Sequence, residues 1–444
     1  MKKYWSIVIL LCVLSILIHL IPFALNGSHP LGYDTGFYRR YVIQPFVSFP
    51  NSPVPGLGKD ALGPRLLIDT IRLLHVPPDI ILYGTYILLF AVQVWALFFL
   101  TTYYWGIPTG LAATLLFVLS AIQYTAYWFM LFKNAFATAI MLITFLLMEK
   151  KSRWAVIGGM LIAASHHTTA IIFLLTLIVY FIINRQERKR TLLVFIGTFA
   201  LFLFFHLSAY QRYIQSPVAV FVGWHEYISL SLPLIVLALF GLKHAINQQK
   251  SVFTAFAIIG IIFPLLSLPF YERIFIFTDI AIIMIGALGL IALIKETANH
   301  SKKTARIASL CIVVVTGVLL VANLSNRIYA LAPLVSKEIL KELDGVTRHV
   351  QLNGTIITST ALAPWVWGSS QQSVIAPGLL HDTHDIQQWI SFWSGSREDK
   401  INFLKNFPRP LYFFLPPIEK EKFLANIKEC VREKSSFLFQ YACD

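Results

Sequence analysis

WAVIGGMLIAASHHTTAIIFLLTLIVYFII, residues 154–183, is an apolar run interrupted once, by SHHTT at 165–169. A helix needs about 20 consecutive apolar residues to cross a bilayer, so this run fits one long helix or two short ones. Flanking charge separates the two readings. As two helices, it leaves residues 1–3, EKKSR at 149–153, NRQERKR at 184–190, KHAINQQK at 243–250 and KETANHSKKTAR at 295–306 on one side. Those segments hold roughly 15 Lys and Arg, the bias that cytoplasmic loops carry. As one helix, it would put NRQERKR opposite EKKSR. The two-helix reading is preferred, and it leaves the N-terminus cytoplasmic.

Working outward, further spans are expected near residues 4–25, 80–103, 109–129, 134–148, 192–207, 229–242, 252–268, 274–294 and 307–324. The total is about 11. The first has the basic start of a signal peptide, but its apolar stretch is long and no small-x-small cleavage site follows, so it reads as a retained helix. Composition agrees: 57% of the 444 residues are hydrophobic and 13% charged, against about half and a quarter in soluble domains. The formal charge of +14 lies in short clusters between apolar runs, which argues for membrane topology and against nucleic-acid binding. The fold expected is an α-helical polytopic membrane protein with a small extracytoplasmic C-terminal α/β domain. Its domains would be 1–324, including a long first outer loop at 26–79, and 325–444.

The tail alternates short strand-like runs (355–359, 373–375, 411–415, 436–441) with helical ones (334–352, 362–367, 383–393, 396–406, 418–433), the pattern of an α/β domain. It shows no Gly-rich phosphate loop, no metal-spaced Cys or His cluster and no nucleophile elbow, so it reads as a lid or acceptor-docking module. Of the four cysteines, Cys12 and Cys311 sit inside apolar runs. Cys430 and Cys443 flank the last polar segment, where a disulfide or two free thiols are equally compatible with an outer location.

Unusual polar residues gather on the outer segments. HPLGYDTGFYRRYV at 29–42 carries Asp34, which could take a proton from an acceptor hydroxyl or amine. Arg39 and Arg40 could grip phosphate. The alternative is an Asp N-cap on a surface helix with arginines facing lipid head groups. KDALGPRLLIDTIRLLH at 59–75 reads as an amphipathic surface helix with Arg65, Asp69 and Arg72 along one face. It is either an ion-pair ladder or, through Arg65, part of a binding site. His166 and His167 interrupt an apolar run where polar groups are costly. They suit a phosphate or sugar hydrogen bond, or a helix cap. Glu272 and Arg273 open a late apolar helix, where the arginine anchors a lipid phosphate or snorkels. Lys133, at a tight outer turn, is the weaker anion candidate. Trp128, Trp224 and Tyr227 read as interface anchors, and Asp279 is the main ionisable group inside a span.

Together these features resemble the glycosyltransferase C superfamily, multi-span enzymes that move sugars from polyprenyl-phosphate carriers. GYDTGFYRRY is similar to the family's acidic residue followed by aromatics in the first outer loop, which implies that Asp34 is the catalytic base. ERIFIFTDIAIIM is similar to its late helix opening with Arg, which implies that Arg273 binds the carrier phosphate. SHHTT is similar to its polar turn, making His167 a site residue. The resemblance implies inverting transfer from a polyprenyl-phosphate-linked sugar donor in the membrane lipid to a glycan, lipid or protein acceptor. Many members carry two adjacent acids in the first loop. Here Thr35 follows Asp34 and the next acid is Asp60, so a metal-independent reaction without cofactor is expected. The WWDYG-type motif of oligosaccharyltransferases is missing from the tail, which argues against Asn glycosylation. The rival readings are a transporter or flippase of a lipid-linked or small anionic substrate, and a non-catalytic subunit of the same architecture.

Overall fold

The computed structural model describes residues 2–27, 31–32, 34–43, 68–69, 72–73, 75–207, 221–245, 251–268, 271–299, 303–370, 372–377, 384–416, 420 and 423–443. The expected amphipathic helix over 59–75, and Arg65 with it, lies mostly outside these residues. The chain forms two compact units. One is a helix bundle built from Met1–Leu25 and Tyr83–Ala332; the other contains the described residues of Asn26–Asp60 and Ile68–Leu82 together with Pro333–Asp444.

In the bundle, α1 (Lys2–Asn26) is separated by helix α2 (Thr35–Ile43), which belongs to the other unit, from α3 (Pro78–Trp105). Then come α4 (Ile107–Val118), α5 (Ala121–Trp128), α6 (Phe132–Glu149), α7 (Trp154–Ala163), α8 (His167–Ile183), α9 (Arg188–His206), α10 (Trp224–Ala245), α11 (Val252–Leu265), α12 (Tyr271–Asn299) and α13 (Lys303–Ala330). Among the described residues, seven helices are long and apolar enough to cross a membrane. The run at 109–129, expected as one span, is a pair, α4 and α5, bent by 50°. The break falls at Ser120, whose side chain accepts the Gln123 amide at 3.2 Å and caps α5. The SHHTT interruption is a true helix break, between α7 and α8. Helix α7 has only 10 residues, a rise of about 15 Å, half the hydrocarbon thickness. A count of about 11 spans therefore requires the bent pair and the three shorter apolar helices α7, α8 and α11 all to count as crossings.

Helix α12 is the axis of the bundle: 83% of its apolar window is buried, against 22% for α13. It packs on α10 through Gly241 and Gly289, where an added Cβ would run into the carbonyls of Ile285 and Leu237. Small residues allow that close approach, which in lipid replaces the missing hydrophobic drive between helices.

In the second unit, α14 (Lys337–His349), β1 (Thr355–Thr358), α15 (Ala363–Ser370), β2 (Ser373–Ile375), α16 (Ile386–Ser394), α17 (Arg397–Leu404), β3 (Leu411–Phe414), β4 (Val431–Glu433) and β5 (Leu438–Tyr441) follow in order. The sheet order is β2-β1-β3-β5-β4, with β1 parallel to β2 and β3, and β5 antiparallel to β3 and β4. One face is closed by an aromatic core of Trp389, Phe392, Phe403, Phe413, Phe423 and Phe439. Lys400 is buried in the same region, its Nζ 4.5 Å from the centre of the Phe423 ring and donating to the Phe423 carbonyl at 3.0 Å. The charge is tolerated because both its hydrogen-bonding and its cation–π needs are met.

The helix expected to continue to residue 433 does not. Residues Lys428–Cys430 form a 3-10 turn and Val431–Glu433 an edge strand paired through Arg432 with Gln440. Tertiary pairing overrides the helical preference of ECVREK. Cys430 and Cys443 form a disulfide, closing the alternative that the sequence left open. Chain order also misleads at the domain boundary: α2 and the start of α3 pack with the C-terminal residues, whereas the first loop was expected to stay with the helical domain.

Candidate functional site

In the bundle, four elements bring basic side chains together. His166 caps α8 and His167 is its first residue. Lys133 is the second residue of α6, His206 ends α9, and Arg273 lies in the first turn of α12. The ring centres of His166 and His167 are 4.9 Å apart, and those of His167 and His206 are 5.9 Å apart. Both His166 and His167 feel the charges of Arg273, His206 and Lys133. Two permanent cations, Lys133 and Arg273, beside three imidazoles that can add hydrogen bonds form a set that an anion would complete.

The hydrogen bonds assign tautomers. The His166 Nδ1 accepts the Thr169 amide at 3.3 Å, which leaves its proton on Nε2. His206 donates from Nε2 to the Ala163 carbonyl at 2.8 Å, tying α9 to the end of α7. The capping reading of the histidine pair thus holds for His166. His167, half-buried beside it, takes no part in that cap and lies between the rings of His166 and His206.

Arg273 is half-buried and makes no hydrogen bond or ion pair among the described residues. Its neighbour Glu272 accepts instead from the Tyr271 hydroxyl, at 3.4 Å. An unmatched guanidinium next to histidines is what a bound phosphate would require. Among the described residues no three His, Cys, Asp or Glu side chains converge to hold a metal.

Sequence reading missed His206. Its signal was present: LFLFFH at 201–206 closes an apolar helix with an ionisable group, and such residues in membrane helices are functional by default. Asp279, by contrast, has a structural task. Fully buried in α12, it accepts from Ser120 Oγ at 2.8 Å and Gln123 Nε2 at 2.9 Å. Gln123 also donates to the Ile276 carbonyl at 3.0 Å. The carboxylate therefore pins α5, the second half of the bent pair, to the axis helix. The opposite side of α5 is held by Arg327 of α13, which donates to Thr125 Oγ1 at 2.8 Å and pairs with Glu226 of α10 at 2.6 Å.

In the other unit, Asp34 immediately precedes α2, and its carbonyl accepts the Tyr38 amide at 3.1 Å. Asp34 is half-buried, and the turn before it is made by Gly32 at φ 64°, a backbone conformation that glycine adopts without strain. Thr35 donates from its hydroxyl to the Leu31 carbonyl, tightening the same turn. Arg39 and Arg40 do not stand free for a substrate. Arg39 pairs with Asp79 at 3.2 Å and Asp344 at 3.9 Å, and donates to Ser369 Oγ at 3.1 Å and the Gly368 carbonyl at 3.4 Å. Arg40 lies 4.9 Å over the Trp367 ring and donates to the Trp367 carbonyl at 3.4 Å. Burial lowers the Arg40 pKa from its ordinary value. Arg65 lies outside the described residues.

No family model matches the sequence, and no curated protein matches it significantly. Solved structures do match in fold. The archaeal oligosaccharyltransferase AglB from Archaeoglobus fulgidus, in complex with an inhibitory peptide and a dolichol-phosphate, is 11% identical with a TM-score of 0.65 over 93% of this chain and 70% of that one. ArnT from Cupriavidus metallidurans, bound to undecaprenyl phosphate, is 11% identical with a TM-score of 0.61 over 99% of this chain and 98% of that one. The arabinofuranosyltransferase AftD from Mycobacteria is 13% identical with a TM-score of 0.55 over 100% of this chain and 40% of that one. The chain shares the fold of these three proteins, and the expected helical architecture with a small C-terminal sheet is found; the count of about 11 spans is not fixed by it.

Proposed function

We propose that this chain is a membrane glycosyltransferase that moves a sugar from a polyprenyl-phosphate-linked donor to an acceptor on the extracytoplasmic face. The observation that carries the reading is the convergence of Lys133, His166, His167, His206 and Arg273 on one end of the bundle. Two of the fold neighbours, AglB and ArnT, were solved with dolichol-phosphate and undecaprenyl phosphate, so a cationic cluster built for phosphate has a natural occupant. Arg273 grips the donor phosphate, with Lys133 sharing its charge and the histidines adding hydrogen bonds. Glu272 orients the mouth of that cluster through Tyr271.

Asp34 acts as base. It takes the proton from the acceptor hydroxyl or amine as that atom attacks the anomeric carbon. The bond from that carbon to the phosphate oxygen breaks, and polyprenyl phosphate leaves. One displacement inverts the anomeric configuration. Cations already placed around the phosphate stabilise the charge that grows on it as the bond breaks. The acceptor is a glycan, lipid or protein. With positively charged loops inside, the N-terminus is cytoplasmic, the C-terminal domain lies outside, and the bent pair and short helices bring the crossings to about 11. The Cys430–Cys443 disulfide suits an oxidising exterior. Arg39 and Arg40 serve the outer unit rather than the phosphate.

The test is sugar transfer from a synthetic polyprenyl-phosphate donor by the detergent-purified chain and by Asp34→Asn. Loss of turnover with donor binding kept supports the assignment; turnover at the native rate in the variant rejects it.

A further inference from the structure

Helices α2 and α15 meet backbone to backbone. A Cβ on Gly36 would lie 2.6 Å from the Trp365 amide nitrogen and overlap the Pro364 carbonyl. A Cβ on Gly368 would lie 3.0 Å from the Gly36 Cα and overlap the Gly36 carbonyl. Each obstacle is main chain, which cannot rotate aside as a side chain can.

Beyond this contact sits a clamp. Arg40 donates to the Trp367 carbonyl and Arg39 to the Gly368 carbonyl. Both are among the last four carbonyls of α15 (Ala363–Ser370), which lack partners within their own helix and carry its partial negative charge. Phe37 adds a ring contact to Trp367 at 5.9 Å. Arg39 reaches on to Asp344 of α14 and Asp79 at the start of α3. A helix of nine residues is too short to hold its own orientation. Helix α2 takes its orientation from α15, and Asp34 is the residue from which α2 begins.

We infer that Gly368, Arg39 and Arg40 are positioning residues for Asp34: the C-terminal domain sets where the carboxylate stands. This rests on the reading of Asp34 as base. The domain then has a task in the chemical step beyond covering the site or docking an acceptor. It also gives the two arginines a role different from binding the donor phosphate, and kinetics separates the two. A phosphate ligand lost raises the donor KM. A base displaced lowers kcat, by roughly 100-fold for a shift of about 1 Å, and leaves the donor KM alone.

The experiment compares the native chain with Gly368→Ala, Arg40→Gln and Arg40→Lys in steady-state transfer from a polyprenyl-phosphate sugar. Undecaprenyl phosphate binding serves as the folding control for the bundle, and the denaturant unfolding midpoint as that for the C-terminal domain. Gly368→Ala and Arg40→Gln are expected to lower kcat roughly 100-fold with donor KM within about twofold. Arg40→Lys should recover most of the loss, because an ammonium can still sit over Trp367 and donate to its carbonyl. A raised donor KM at constant kcat, or native kcat in Gly368→Ala, overturns the inference. If Gly368→Ala fails either control, the Arg40 pair decides, and equal activity of Gln and Lys overturns it. Failure of the base assignment looks different: it shows as native turnover in Asp34→Asn, before any change in α15 is made.

Discussion

Replacing Arg273 by Gln should weaken phosphate binding without unfolding the bundle. Arg273 has no hydrogen bond or ion pair among the described residues, so its removal orphans none of their acceptors. What is lost is its grip on the ligand. One charge-assisted hydrogen bond contributes about 1.5–3 kcal/mol, which is about a 10- to 150-fold rise in Kd. Lys133, His167 and His206 stay in place, so binding should weaken rather than vanish. Undecaprenyl phosphate can be titrated into the detergent-solubilised protein and followed by tryptophan fluorescence, with undecaprenol as the phosphate-free control. Native protein should prefer the phosphate, and Arg273→Gln should lose most of that preference. A Kd within about threefold of native, or equal binding of the alcohol, would refute the assignment of this cluster to phosphate.

Two stability predictions accompany it. Asp279→Ala leaves Ser120 Oγ and one bond of Gln123 Nε2 without an acceptor, at a cost of about 2–3 kcal/mol; thermal unfolding in detergent should show a lower midpoint, with Asp279→Asn less affected. Equal midpoints for Ala and native protein would mean that this network does not hold α5. Replacing Cys430 and Cys443 by Ser opens a loop with a sequence separation of 13 and should cost the C-terminal domain about 3 kcal/mol. Denaturant unfolding measures it, and reductant should reproduce the loss in the native chain only; an unchanged midpoint would contradict it.

How much of this was legible in the chain itself differs by element. The apolar runs were readable because a bilayer imposes a length and forbids charge, constraints that act on consecutive residues. The break at SHHTT was readable for the same reason, with charge on either side to choose between two topologies. Strands β1, β2 and β3 stood out as short apolar runs between polar ones. The break at Ser120 did not, because nothing local marks it: a serine cap became decisive only when Asp279, 159 positions away, supplied the buried partner. Strand β4 was hidden for a like reason, since its residues favour a helix until β5 and a disulfide hold them extended.

Among the candidate groups, residue chemistry drew attention to Asp34, Arg273, His166 and His167 but left each open between a site and a structural role; the resemblance made the choice. Charged and polar side chains are costly beside lipid and rarely occur there without a task. It could not say which of them would meet. His206 joined the histidine pair, and Arg39 and Arg40 joined the end of α15, more than 300 positions along the chain. Sequence determined what each side chain could do, because protonation, charge and hydrogen-bonding capacity are properties of the residue. Only the tertiary structure decided what each one faces, because the packing of helices through glycine contacts and capped ends sets distances that no local pattern records.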